Sequence, residues 1–152
     1  MDLFIELSSV AECLDKEGIP YALVGGLAFS VWVQARSTED IDLLVLPSDW
    51  ERIRDLLAPL GYQELSGPLD FKQVRIRRLT KLEGVEALAL DFVLADGDLP
   101  EGLKRSTRLE QDGHSYPVAP PDVLISLKEK RMSPQDESDI RELRKLREGG
   151  KP

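Results

Sequence analysis

The chain is poor in the residues that usually carry covalent or transition-metal chemistry: it has one cysteine and one histidine in 152 residues, and aromatics make up only 6%. Cys13 cannot close an internal disulfide, and its place in an apolar helical stretch reads as a small buried residue and not a nucleophile. His114 stands in a polar Asp-Gly-His-Ser turn with no partner motif and is read as a surface residue. No apolar run approaches the roughly 20 residues that span a bilayer, and the start Met1-Asp2-Leu3 lacks the basic region of a secretory signal. No membrane partner is therefore expected, and the cytoplasm is the expected location. Positive charge is also short. With a formal net charge of −8, the surface as a whole does not attract polyanions, so a nucleic-acid partner needs a local basic patch. Lys72, Arg75, Arg77, Arg78 and Lys81 form one candidate stretch, and Lys104, Arg105 and Arg108 another. The simpler reading of both is a solvated face.

What is present is ordinary globular composition, 41% apolar and 32% charged. The length fits a single domain over residues 1–152, with a core of about 1–118 and a helical pair at about 120–148. Leu3, Leu7, Val10, Ala11 and Leu14 recur at helical spacing up to Gly18. A short apolar run, Tyr21-Ala-Leu-Val24, predicts a buried strand that breaks into Gly25-Gly26, and residues 27–35 predict a helix with Phe29 and Trp32 in the core. Residues 39–46 read as a strand stopped by Pro47, and Ser48 with Glu51 predicts a capping box for a helix ending near Gly61. Trp50, just past that cap, is assigned to packing. Residues 62–65, 71–79, 87–94 and 115–118 read as strands, the second alternating Val74 and Ile76 with Arg75 and Arg77. Helices are predicted from Pro121 to Arg131 and from Ser133-Pro134 to about Arg147. Together these make an α/β (α+β) arrangement, a mixed β-sheet flanked by helices with two helices at the C-terminus.

The sharpest chemical feature is Arg36-Ser-Thr38-Glu-Asp40-Ile-Asp42 at the head of an apolar strand. Side chains alternate on a strand, so Asp40 and Asp42 share a face. Two carboxylates held side by side repel, so either a divalent cation sits between them or they are two exposed acids at a strand end; for a cation, oxygen ligands suit Mg²⁺, which commonly takes one or two carboxylates together with substrate phosphates. Upstream, paired glycines at a strand-to-helix break let a backbone approach a phosphate, and a helix start favours an anion.

Gly25-Gly26, a short helix, then Arg36-x-Thr38-x-Asp40-x-Asp42 in that order and spacing resemble the DNA polymerase β-like nucleotidyltransferase superfamily. The stretch Val118-Ala-Pro-Pro-Asp-Val-Leu-Ile-Ser-Leu-Lys128-Glu-Lys-Arg131, followed by Asp136-Glu-Ser-Asp139, resembles the tail of small bacterial AbiEii-type members. The resemblance implies the nucleotidyltransferase fold and transfer of a nucleoside monophosphate from an NTP, with Mg²⁺ or Mn²⁺ as cofactor. It implies that Asp40 and Asp42 hold metal and triphosphate, and that a third carboxylate from a later strand, Asp91, helps bind a second ion and activates the attacking hydroxyl. Asp96 and Asp98 flank Gly97 in a turn and are weaker choices for that third acid. Lys128 would contact triphosphate oxygens, Arg131 would assist, and Asp136 or Asp139 would orient them. Arg36 would touch phosphate or brace the loop before Asp40. The acceptor implied is RNA, protein or a small molecule: a toxin-type enzyme acting on tRNA or protein, with an antitoxin or homodimer partner, or a relative of the aminoglycoside and lincosamide nucleotidyltransferases. A noncatalytic nucleotide- or partner-binding module of the same fold is the reading from another class.

Overall fold

A computed structural model describes residues 1–32, 40–71, 73–131 and 134–148. Helix α1 (Leu3–Lys16) starts where the Asp2 carboxylate accepts the N–H groups of Phe4 and Ile5 at 2.9 and 3.0 Å, and it buries Leu7, Val10, Ala11 and Leu14. Strand β1 (Tyr21–Val24) runs straight into α2 (Gly25–Trp32), so that helix begins on the glycines themselves and not at Leu27. Strand β2 (Asp40–Val45) follows. The turn after it differs from the capping box expected at Ser48. A single 3₁₀ turn, Pro47–Asp49, leads into α3 (Trp50–Leu57), and neither helical start has a side-chain cap. Pro47 opens the turn one residue early, which places Ser48 inside it rather than at its boundary. A second 3₁₀ turn, Ala58–Leu60, ends at Gly61, whose φ of +98° closes the segment as a left-handed cap.

The remaining strands are β3 (Tyr62–Gln63), β4 (Leu69–Phe71), β5 (Val74–Glu83), β6 (Glu86–Leu94), β7 (Thr107–Gln111) and β8 (His114–Val118). The strand expected over 71–79 is thus two: β4 turns back antiparallel on β5, pairing Phe71 with Val74. Helix α4 (Leu99–Lys104) and β7 occupy the charged stretch that has no apolar period to announce them. Helices α5 (Pro121–Arg131) and α6 (Pro134–Glu148) finish the chain.

Among the described residues the sheet has eight strands in the order β3-β5-β6-β2-β1-β8-β7, with β4 beside β5. Strand β2 lies inside it, antiparallel to β1 and parallel to β6, which is why Ile41, Leu43, Leu44 and Val45 are all buried. Each such side chain removed from water contributes about 1.5–3 kcal/mol, and this anchors the strand whose first residues are acidic. The two faces are covered differently. On one, Trp50 of α3 meets Phe92 of β6 with ring centroids 5.6 Å apart, while Glu6 of α1 accepts hydrogen bonds from Lys81 and Tyr62, both at 2.8 Å. On the other, α2 and α5 meet: the Lys128 ammonium sits 5.5 Å from the centre of the Phe29 ring, and Trp32 donates its indole N–H to the Ala119 carbonyl at 2.8 Å. Among the described residues no helix is long and apolar enough to cross a membrane.

Candidate active site

The site is built on one cross-strand row. Register places Val24 of β1 opposite Asp42 of β2, Asp42 beside Asp91 of β6, and Asp91 opposite Arg78 of β5. Residues in such a row point to the same side of the sheet, and Asp40 joins them because it is two residues from Asp42. Phe92, next to Asp91, points to the other side, where it packs on Trp50. Trp50 is therefore a packing residue on the face opposite the acids.

Asp42 lies over Gly25. A Cβ added to that glycine would come within 2.1 Å of the Asp42 Oδ2, and Gly25 also has φ +68°, which L side chains rarely adopt. Glycine here does two things at once: it lets the chain turn from β1 into α2, and it leaves the space that the Asp42 carboxylate fills. Gly26 follows within the same first turn, half-buried.

Asp91 is 8% exposed and is gripped at both oxygens by Arg78, Nε to Oδ1 at 2.7 Å and Nη2 to Oδ2 at 2.9 Å. The hydrogen bond to Asp91 pushes the Arg78 guanidinium well above its ordinary pKa, against the opposing effect of burial, and the charges of Asp91, Asp40 and Asp42 add to the rise. This pairing differs from the solvated face expected of the basic stretch. Alternation already put Arg78 with Val74 and Ile76, the inward side of β5, so a cation at that position was the signal for a buried acid partner. The other described members of the basic stretch are also paired: Arg75 with Asp96 at 2.7 and 2.8 Å, Arg77 with Asp70 at 3.1 Å, and Lys81 with Glu6. In the second stretch, Arg105 forks onto Asp122 and Arg108 donates to Ser115. Asp96, a weaker choice for the third acid, is committed to Arg75, whose hydrogen bonds hold its pKa below the usual value. Asp98 is a surface residue, with its side chain 89% exposed.

Lys128 reaches the same place from α5. It donates to Asp139 of α6 at 2.8 Å, with Asp139 only 2% exposed. Lys128, Gly25 and Asp42 line one pocket whose other walls are apolar: Val24, Val74, Ile76, Val93, Leu124 and Leu127. Asp139, one of the two acids expected to orient Lys128 or Arg131, bonds Lys128. Arg36 and Thr38 lie outside the described residues, as do the side chains of Arg131 and Asp136. Cys13 is half-buried with its thiol directed at the Leu56 carbonyl, and His114 stacks on Tyr116 at an exposed position.

Among the described residues no three His, Cys, Asp or Glu side chains are gathered closely enough to share a metal ion. What the sheet offers is the Asp40 and Asp42 pair on one face, with Gly25 leaving room for a carboxylate and Arg78 occupying the third acid. An all-oxygen pair of this kind fits Mg²⁺ or Mn²⁺ carried in with substrate phosphates.

The family described as nucleotidyltransferase of unknown function (DUF6036) matches residues 1–147. Comparison with curated protein sequences returns no match. Among solved structures, the lincosamide antibiotic adenylyltransferase LnuA, bound to lincomycin, is 16% identical with a TM-score of 0.57, covering 91% of this chain and 94% of its own. ANT(2″)-Ia in complex with adenylyl-2″-tobramycin is 13% identical with a TM-score of 0.56, covering 91% and 86%. A Thermotoga maritima protein assigned as a nucleotidyltransferase is 14% identical with a TM-score of 0.60, covering 96% and 91%. These likenesses establish the fold. With the match over nearly its whole length, the chain belongs to the DUF6036 family of nucleotidyltransferases.

Proposed function

We propose that the enzyme moves a nucleoside monophosphate from an NTP bound with Mg²⁺ or Mn²⁺ to a hydroxyl or phosphate acceptor, releasing pyrophosphate. The observation that carries this reading is the seating of Asp42 on Gly25 in a pocket shared with Lys128. Asp40 and Asp42 would hold the ion, whose chemistry is to neutralise phosphate charge and polarise the phosphoryl oxygens. Lys128, kept in place by Asp139, would meet the triphosphate oxygens, and the apolar walls would strengthen that attraction by excluding water. Gly25 and Gly26 would let the phosphates approach the start of α2. Arg36, Thr38, Arg131 and Asp136 would complete the nucleotide contacts.

For the acceptor, the pairing of Arg75, Arg77, Arg78 and Lys81 with carboxylates supports a small molecule or a protein over tRNA, because paired cations form a poor phosphate track. The toxin-type reading, with an antitoxin or a second copy as partner, uses the same site with a macromolecular acceptor. The test is transfer of label from α-³²P NTPs, with Mg²⁺, to separate pools of small molecules (aminoglycosides and lincosamides included), protein and tRNA. Label is expected in one pool, with at least about a 100-fold loss in Asp40→Ala and Asp42→Ala, the scale of removing a main electrostatic stabiliser of the transition state. Labelling that survives both substitutions would place the chemistry elsewhere.

A further inference from the structure

Resting on the reading of Asp40 and Asp42 as metal ligands, we propose that Arg78 is a built-in cation of the acid row, holding Asp91 where a second divalent ion would sit, so that the site takes one divalent ion and not two. The guanidinium comes from the sheet itself. Arg78 stands opposite Asp91 in the antiparallel register of β5 and β6, and its planar fork meets both carboxylate oxygens, at 2.7 and 2.9 Å. A fork of this shape fixes orientation as well as charge, and a guanidinium does not give up its proton in a protein. Asp91 is buried, so its charge needs a permanent partner whether or not metal is present. An ion bridging Asp42 and Asp91 would have to share Asp91 with this fixed positive charge and would be repelled by it. Asp40 and Asp42 stand on β2, on the far side of Asp91 from Arg78 in the strand order, so that fork does not engage them from β5. Arg78 thus positions Asp91 and sets the metal count.

The test counts Mn²⁺, added alone, by the electron paramagnetic resonance signal of the free ion, for the full chain and for Arg78→Lys, Arg78→Gln and the Asp40→Asn, Asp42→Asn double variant. Circular dichroism checks that each is folded. Wild type and Arg78→Lys are expected to bind one ion, Arg78→Gln to bind two, and the double aspartate variant to lose the first. Two ions on wild type, or a single ion of unchanged affinity on Arg78→Gln, overturns the inference while leaving the metal reading intact. If Arg78→Gln does not fold, the wild-type count still decides. No binding by wild type, or undiminished binding by the aspartate double variant, overturns the metal reading itself and the inference with it.

Discussion

At Gly25 a single missing methyl group is what allows the acid pair to exist. Its φ of +68° costs a side chain about 1–2 kcal/mol, and the clash with Asp42 is a separate penalty. Gly97 separates the two effects, because it has φ +64° with nothing within 4 Å of an added Cβ. Gly97→Ala should therefore lower stability by about 1 kcal/mol and leave Mn²⁺ binding unchanged. Gly25→Ala should lower stability further and also abolish that binding, as thermal melting and Mn²⁺ titration would show. Asp40 and Asp42 were legible from spacing alone, since a two-residue interval on a strand dictates a shared face. Asp91 was legible as the acid within an apolar strand, but its partner was not. Pairing with Arg78 depends on which residue of β5 stands opposite, and register is set by the hairpin and not by local sequence.

Between elements, buried ion pairs tie helix to helix and helix to sheet. Lys128 and Asp139 join α5 to α6. Removing the ammonium in Lys128→Met leaves a buried carboxylate short of its main partner, and about 3 kcal/mol of destabilisation is expected. Denaturant midpoints should show part of this recovered in the Lys128→Met, Asp139→Asn double variant. Glu6 ties α1 to the sheet through Lys81 and Tyr62. Burial pushes its pKa up, but the hydrogen bonds from Lys81 and Tyr62 outweigh burial and hold it below the ordinary value of 4.5. A depressed folded-state pKa means stability that is fully present above the unfolded value and lost as pH falls through the folded one. Unfolding free energy should thus decline as pH drops below about 4.5. Glu6→Gln should be less stable by about 2 kcal/mol at pH 7, with a flatter acid limb. Helix α1 was legible from its apolar period, the central strands from their apolar runs, and α6 from its Ser133-Pro134 start. Strand β7, helix α4 and the β4 hairpin were not: β7 is a half-exposed edge strand, α4 spans only six residues, and each is held by its neighbours more than by its own pattern.

Over the whole molecule, the interior position of β2 turns a local motif into a candidate site. Strands β1 and β6 flank it, so Gly25 comes from one neighbour's end and Asp91 from the other's row, while α5 brings Lys128 over the same face. Negative charge dominates overall, several described cations are held by carboxylates, and Lys128 is the one described cation that lines the Asp42 pocket. The central claim is therefore that an NTP binds through a divalent ion at Asp40 and Asp42. Calorimetric titration of a nonhydrolysable NTP into the protein, with Mg²⁺ and with the metal chelated, tests it directly. Binding that requires Mg²⁺ and disappears in Asp42→Asn is the predicted result; binding of equal strength without metal, or in Asp42→Asn, would contradict it.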